Sequence, residues 1–338
     1  MLELMEKSEI ITLDNIDNEK YPIKGTVKEL VVAALEKKIA VHRVFEKRDI
    51  FILDDGEKIR WLYESLTSLA NPIGLTIARN KHLSKKILTT LGYPTAQSKI
   101  VKTIEELDAA IKEINYPVVI KPLSSGGGKG ITVNIADHAV LVDSFNHAKN
   151  FDTKILIEKY VSGDYYRLTY IADGSFAATK NLPAVIIGDG AKTAKELIEK
   201  ENKTNPERKK KGRLKKIKTS GKTERFLTSY GYTLDSIIPK NEAIPLCFSG
   251  FDGGEYMDVT DDAHPYYTKL AKKISEILGL PIIGIDVVSK NITEPLTENG
   301  GVLIEINGTY PDIQFHSMPT SGKPRHLAPK LIDYLFKK

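Results

Sequence analysis

Two short apolar runs late in the chain each carry an acid in their interior: Ile282-Ile283-Gly284-Ile285-Asp286-Val287-Val288 and Val302-Leu303-Ile304-Glu305-Ile306-Asn307. Such a density of β-branched residues predicts strands. A carboxylate inside a buried strand is costly unless a cation meets it, so the fold has to bring these acids to a charged site. The period of two places Leu303, Glu305 and Asn307 on one face and Val302, Ile304 and Ile306 on the other. If the two strands pair, Asp286 stands beside Glu305 and Asn307. Two carboxylates and an amide oxygen suit hard Mg²⁺, which fills its remaining positions with nucleotide phosphates and water. Either acid alone reads as an ordinary half-exposed strand residue; both together favour the metal.

A second constellation is Lys121-Pro122-Leu123-Ser124-Ser125-Gly126-Gly127-Gly128-Lys129-Gly130, between the strand-like Val118-Val119-Ile120 and Ile131-Thr132-Val133. Glycines let backbone N–H groups approach an anion, and lysine supplies a point charge, so this reads as a hairpin covering phosphates. It is not a Walker A loop: Gly130 follows Lys129 where Ser or Thr is needed, and Leu123 occupies the leading glycine position. Gly221-Lys222-Thr223 fails likewise, with Lys216 in that place. A plain hairpin tip is the alternative for the loop alone. Further on, Ile155-Leu156-Ile157-Glu158-Lys159-Tyr160-Val161 is an apolar strand running into a charged turn, where backbone groups and Glu158 could meet an adenine edge. A surface strand end explains it equally well.

Helical periodicity places Leu83, Ile87, Leu88 and Leu91 on one face after Asn80, with Gly92 and Pro94 as stop signals. Thr103 with Glu106 three residues on reads as an N-cap for a helix to Ile114. Tyr266 to Leu278 and His326 to Phe336 read as helices, and Ala40 to Phe45 and Ile50 to Leu53 as strands of a small α/β unit that includes the helical Thr26 to Lys38. The run from Glu207 to Lys216 has almost no apolar content and is expected to be solvated, or to steer an acidic substrate. With one cysteine, Cys247, in 338 residues there is no internal disulfide and no paired-cysteine zinc site. Acids at positions 3, 6, 14 and 17 replace the apolar stretch of a signal peptide, and no long apolar run occurs, so a cytoplasmic protein with no membrane partner is expected. The net charge of +5 is mild, and nucleic acid is not demanded.

The segments Asn80-Lys81 through Pro94, Lys121 through Gly130, Ile157-Glu158-Lys159-Tyr160, Pro183 through Gly190, Gly231 through Ser236, Asp258 through Asp261, Gly284 through Val288, Ile304 through Asn307 and Ser321 through Arg325 occur in one order. In that order they resemble the ATP-grasp superfamily of carboxylate-amine ligases, in particular the ATP-grasp part of cyanophycin synthetases and their glutathione-synthetase relatives. The resemblance implies an α+β ATP-grasp fold, two α+β subdomains clasping ATP. A small α/β N-terminal domain over 1–78 would precede a catalytic domain over 79–338, whose nucleotide lid covers about 93–160. It implies phosphates on Lys81 and Lys121 under Ser125, Gly126, Gly127, Gly128 and Gly130. Adenine would lie on Glu158 and the backbone of Lys159, Tyr160 and Val161. Asp164 falls next to the ribose-acid position, which Tyr165 occupies. Mg²⁺, with Mn²⁺ as a substitute, would sit on Asp286, Glu305 and Asn307. Arg167 and Lys121 become the catalytic candidates, for phosphoryl or acyl-phosphate charge, and His316, Ser321 and Arg325 the substrate candidates. The implied reaction is amide formation through an acyl phosphate, from an amine and a small-molecule or peptide carboxylate, acidic substrates and cell-wall peptide precursors included. A homo-oligomer is compatible with this. One departure is Cys247-Phe248-Ser249-Gly250-Phe251-Asp252-Gly253-Gly254, where relatives have Asn-(Leu/Ile)-Ser-Thr-Gly-Gly after an arginine. Another is the lack of a second, P-loop-bearing half, which leads to the expectation of a stand-alone amino-acid or peptide ligase. An ATP-grasp kinase, and a nucleotide-sensing or nucleic-acid-binding module, are the competing readings.

Overall fold

A computed structural model describes residues 1–17, 21–45, 47–124, 127–209, 213–247 and 253–337. Ser125 and Gly126 of the glycine loop, part of the basic run (210–212) and 248–252 of the divergent stretch lie outside the described residues.

Three sheets organise the chain, and every strand pairing in them is antiparallel. The first contains Glu9–Ile11, Ala40–Phe45, Arg48–Asp54, Ile59–Tyr63 and Leu66–Thr67 in chain order. The helix Gly25–Glu36 covers it, with Val27, Leu30, Val31 and Ala34 buried. The chain's last helix, Ala328–Phe336, joins the same core through Leu331, Ile332 and Leu335. Ile171, Ala177 and Ile282, from the central sheet, complete this core, so the two ends of the chain are packed as one body.

The second sheet falls within the segment 93–160 for which a lid is expected. Its strand order is Ser98–Val101, Ile155–Lys159, Val118–Pro122, Thr132–Ile135, so Ile155–Lys159 lies between the two strands joined by the helix Ile104–Ile114. That helix starts where the sequence predicts: the Thr103 hydroxyl accepts the Glu106 N–H at 3.3 Å, and the Glu106 carboxylate accepts the Lys102 N–H at 2.6 Å. Val118 pairs with Ile135 and Ile120 with Thr132, which makes the glycine run a hairpin.

The central sheet has the order Glu255–Asp258, Phe176–Leu182, Asp164–Ile171, Ile282–Ser289, Val302–Asn307. The helix Pro265–Leu278 packs on it and ends at Gly279, whose φ of +60° is the left-handed turn that glycine accepts readily. The strict alternation expected for Val302–Asn307 is broken. A register shift after Asp286 pairs Asp286 with Glu305 but Val287 with Leu303, leaving Ile304 as the extra residue of a bulge. Leu303 therefore joins the core, while Ile304 lines the cleft beside Glu305.

A smaller unit, the pair Val185–Ile187 and Ala243–Pro245 with the helices Ala194–Thr204 and Gly221–Ser229, has a core of its own. The described part of the basic run is fastened to it rather than wholly solvated. Leu214 and Ile217 are buried, and the Arg208 guanidinium, also buried, donates to the carbonyls of Lys215 at 2.7 Å and Gly253 at 2.6 Å and pairs with Glu201 at 2.9 Å.

Candidate active site

Between the lid and the central sheet lies a cleft of about 660 Å³. Its floor is the cross-strand pair Asp286 and Glu305, with Asn307 opposite Gly284. The three predicted metal ligands thus meet. Asp286 has no exposed surface. Its carboxylate takes the Arg167 Nε–H at 2.5 Å and the Asn307 amide N–H at 2.9 Å. Because Asn307 donates through its nitrogen, its amide oxygen is left for a cation. Burial pushes the Asp286 carboxyl up to about 6 against the pull of Arg167, and the Glu305 charge adds to the rise. Burial acts on Glu305 too, but the charges of Lys81, Lys121 and Arg167 outweigh it and hold that carboxyl below its usual range. Two acids facing each other with an amide oxygen alongside form a hard, oxygen-only donor set, and a divalent cation of the Mg²⁺ kind fits it.

Cations line the other side. Asn80 caps the helix Lys81–Thr90 by accepting from His82 and Leu83 N–H groups, which sets Lys81 at the cleft, 3.3 Å from Glu305. Lys121 leaves the end of the lid strand and pairs at 2.5 Å with Glu158. Lys85, one helical turn beyond Lys81, holds the other Glu158 oxygen. Both oxygens of Glu158 are therefore engaged by lysines, and burial, though unfavourable to the charge, is outweighed by Lys121 and Lys85, which keep the carboxyl below its ordinary range. Glu158 thereby positions Lys121 and Lys85. Lys85 itself escaped the sequence reading, although its i+4 spacing from Lys81 on a predicted helix was a usable signal.

Arg167 is fixed from both sides, by Asp286 and by Asp312 at 2.8 Å, and it also donates to the Tyr310 carbonyl at 3.0 Å. Asp312 was not anticipated, since nothing local in the sequence places it opposite Arg167. Gly127 and Gly128 of the hairpin line the cleft with Lys81 and Lys121, and Gly130 sits at the hairpin's base. Lys159, Tyr160 and Val161 cross from the lid to the central sheet; the Lys159 N–H donates to the Gln97 carbonyl and Tyr160 N–H to that of Pro117. Asp164 pairs with Lys180 at 2.6 Å.

The three substrate candidates do not line the cleft. His316 has no exposed surface and bonds Thr169 at 2.8 Å. Arg325 is held by Asp258 at 2.9 Å and Asp261 at 2.8 Å, and Ser321 bridges to Met257 in the same edge region.

Two antiparallel sheets clasping a cleft, one contributing a glycine hairpin and the other a pair of acids, define the ATP-grasp class of proteins. This chain has the ATP-grasp fold. The family model described as carbamoyl-phosphate synthase L chain, ATP binding domain, matches residues 80–167. Cyanophycin synthetase from Synechocystis sp. is 31% identical over 322 residues, 92% of this chain and 36% of the relative. The glutathione biosynthesis bifunctional protein GshAB of Clostridium perfringens is 29% identical over 340 residues, 96% of this chain and 43% of that one. Among solved structures, a bifunctional glutathione synthetase from Pasteurella multocida superposes with a TM-score of 0.62 at 28% identity, covering 92% of this chain and 44% of that one. The chain thus spans less than half the length of each of these relatives. Among the described residues no helix is long and apolar enough to cross a membrane.

Proposed function

We propose that the chain is an ATP- and Mg²⁺-dependent carboxylate-amine ligase, which phosphorylates a substrate carboxylate and joins the acyl phosphate to an amine with release of ADP and phosphate. The observation that carries this reading is the convergence of Lys81, Lys121 and Arg167 with Asp286, Glu305 and Asn307 in one cleft beneath the glycine hairpin. Phosphoryl transfer depends on positioning and charge neutralisation, and this site is built of fixed charges. Arg167 cannot swing away, because two acids and a carbonyl hold it. It presents an immobile positive charge to the transferring group at no reorganisation cost. Lys121, buried against Glu158, does the same on the lid side. Asp286, Glu305 and Asn307 are the residues that would hold Mg²⁺, whose chemistry is to neutralise phosphate charge. The names of the relatives, a cyanophycin synthetase and a glutathione biosynthesis protein, support the same reaction class, with amino acids or peptides as substrates.

The test is release of ADP and phosphate from Mg-ATP against amino acids, short peptides and nucleotide-linked peptides, with mass spectrometry of the product. A product lighter by one water than its two substrates is expected, and Glu305→Gln should lower turnover by about 100-fold or more. A phosphorylated product would make the protein a kinase, and an absence of ATP binding would sink both readings.

A further inference from the structure

A second pocket, of about 360 Å³, opens on the N-terminal sheet and shares Tyr63 with the cleft. The turn that forms its inner wall is tied to the active site. Ser65 Oγ donates to the Thr309 carbonyl at 2.7 Å, and Arg79 Nε donates to the Thr309 hydroxyl at 2.9 Å, two residues beyond Asn307. Glu64, in this turn, has a φ of +55°, in the left-handed region that few long side chains occupy. Such a conformation persists where surrounding structure imposes it, and it is found disproportionately at functional sites.

The charges of the pocket come in two kinds. Glu64 and Asp49 are its acids, and burial with the Asp49 charge pushes the Glu64 carboxyl above its usual range. Arg43, Lys47 and Arg48 are its cations. Arg43 is only 5% exposed; its terminal nitrogens bond Tyr21 O and Asp49, each at 2.7 Å, while Nε is buried with no hydrogen-bond partner among the described residues. Among the described residues no hydrogen bond or ion pair reaches the side chains of Glu64, Lys47 or Arg48. Unpaired acceptors and unpaired donors therefore face one small volume beside the cleft.

We propose that this pocket binds the α-amino-acid head group of a substrate, its ammonium on Glu64 and Asp49 and its carboxylate on the Arg43, Lys47 and Arg48 side, while a second carboxylate of the same molecule reaches the cleft. The N-terminal sheet would then select the substrate that the lid and central sheet activate. This rests on the ligase reading for the role of the bound molecule, but the binding itself is measured separately.

The probes are L-aspartate, L-glutamate and their dipeptides, each also as the N-acetyl and the α-carboxamide derivative, titrated by calorimetry into the full chain with Mg²⁺ and a non-hydrolysable ATP analogue. Free forms should bind about 10-fold or more tighter than either blocked form, the size of one charge-assisted hydrogen bond. Glu64→Gln should lose discrimination against the N-acetyl form alone, and Arg48→Gln against the carboxamide alone. Glu64→Gly, which suits the turn's backbone, should fold at least as well as the parent and behave like Glu64→Gln. Equal binding of free and blocked forms, no binding of any free form, or unchanged discrimination in the variants would overturn the proposal. Failure of the ligase reading would show instead as bound amino acid with no amide product.

Discussion

Asp286, Arg167 and Asp312 form a chain of buried charge in which each member satisfies the next, and this arrangement decides what the cleft can hold. A buried pair of this kind is costly to break, because the orphaned partner keeps its desolvation penalty. His316 illustrates the opposite solution, a titratable group kept neutral. Thr169 donates its hydroxyl to the Pro311 carbonyl at 2.8 Å, so it accepts from His316 Nε2–H. Burial, and then the Arg167 charge, pull the imidazole pKa down from 6.5 to about 3. Unfolded chains take up this proton below about 6.5, and the folded protein does not, so the stability is present in full above that value and is lost as pH falls toward 3. Asp286, raised to about 6, takes up a proton in the folded state over the same range and acts in the opposite sense, so the His316 share is read as a difference: between pH 7 and pH 4.5 the slope of urea midpoint against pH should be less positive in His316→Asn than in the parent. An unchanged slope in the variant would remove His316 as a contributor. At this scale residue type and spacing showed the acids and Lys121, and the ordered resemblance to a family added Lys81 and Arg167. Neither showed Asp312 or the engagement of Glu158, which depend on segments far apart in the chain.

The glycine hairpin and the bulge at Ile304 are the two elements that shape the cleft. Gly130 has a φ of +69°, and a Cβ there would lie 2.8 Å from both Phe151 and Pro122. Gly130→Ala should cost about 1–2 kcal/mol for the backbone alone, with more from displaced neighbours, and should weaken binding of a non-hydrolysable ATP analogue. Gly127→Ala is the comparison, since its φ is similar but no heavy atom lies within 4 Å of the added carbon. Equal losses of stability in both would mean that crowding at Gly130 is unimportant. Hairpin and helices were legible in advance, because glycine content, capping pairs such as Thr103 with Glu106, and apolar spacing are short-range signals. The bulge was not: a register shift of one residue depends on the neighbouring strand, and alternation alone sent Ile304 to the wrong face.

At the scale of the molecule, the N-terminal sheet is held by the chain's other end. Leu331, with no exposed surface, packs from the last helix into the core beneath Phe51, Leu53 and Leu62. Leu331→Ala should destabilise the protein by about 2–5 kcal/mol, and the amide protons of Arg48–Asp54 should lose exchange protection together with those of the last helix. Protection lost in the helix alone would show that the two ends are not one cooperative unit. The amino-acid sequence by itself carried the resemblance to the ATP-grasp class, marked the glycine hairpin and singled out Asp286, Glu305 and Asn307, since each rests on residue type, order and spacing along the chain. The tertiary structure alone decided that Glu158 serves two lysines, that Arg167 is clamped by Asp312, that His316 and Arg325 stay out of the cleft, and that a charged pocket on the first sheet adjoins the last strands. Those facts depend on which distant surfaces meet, and burial and pairing are properties of the packed molecule rather than of any segment.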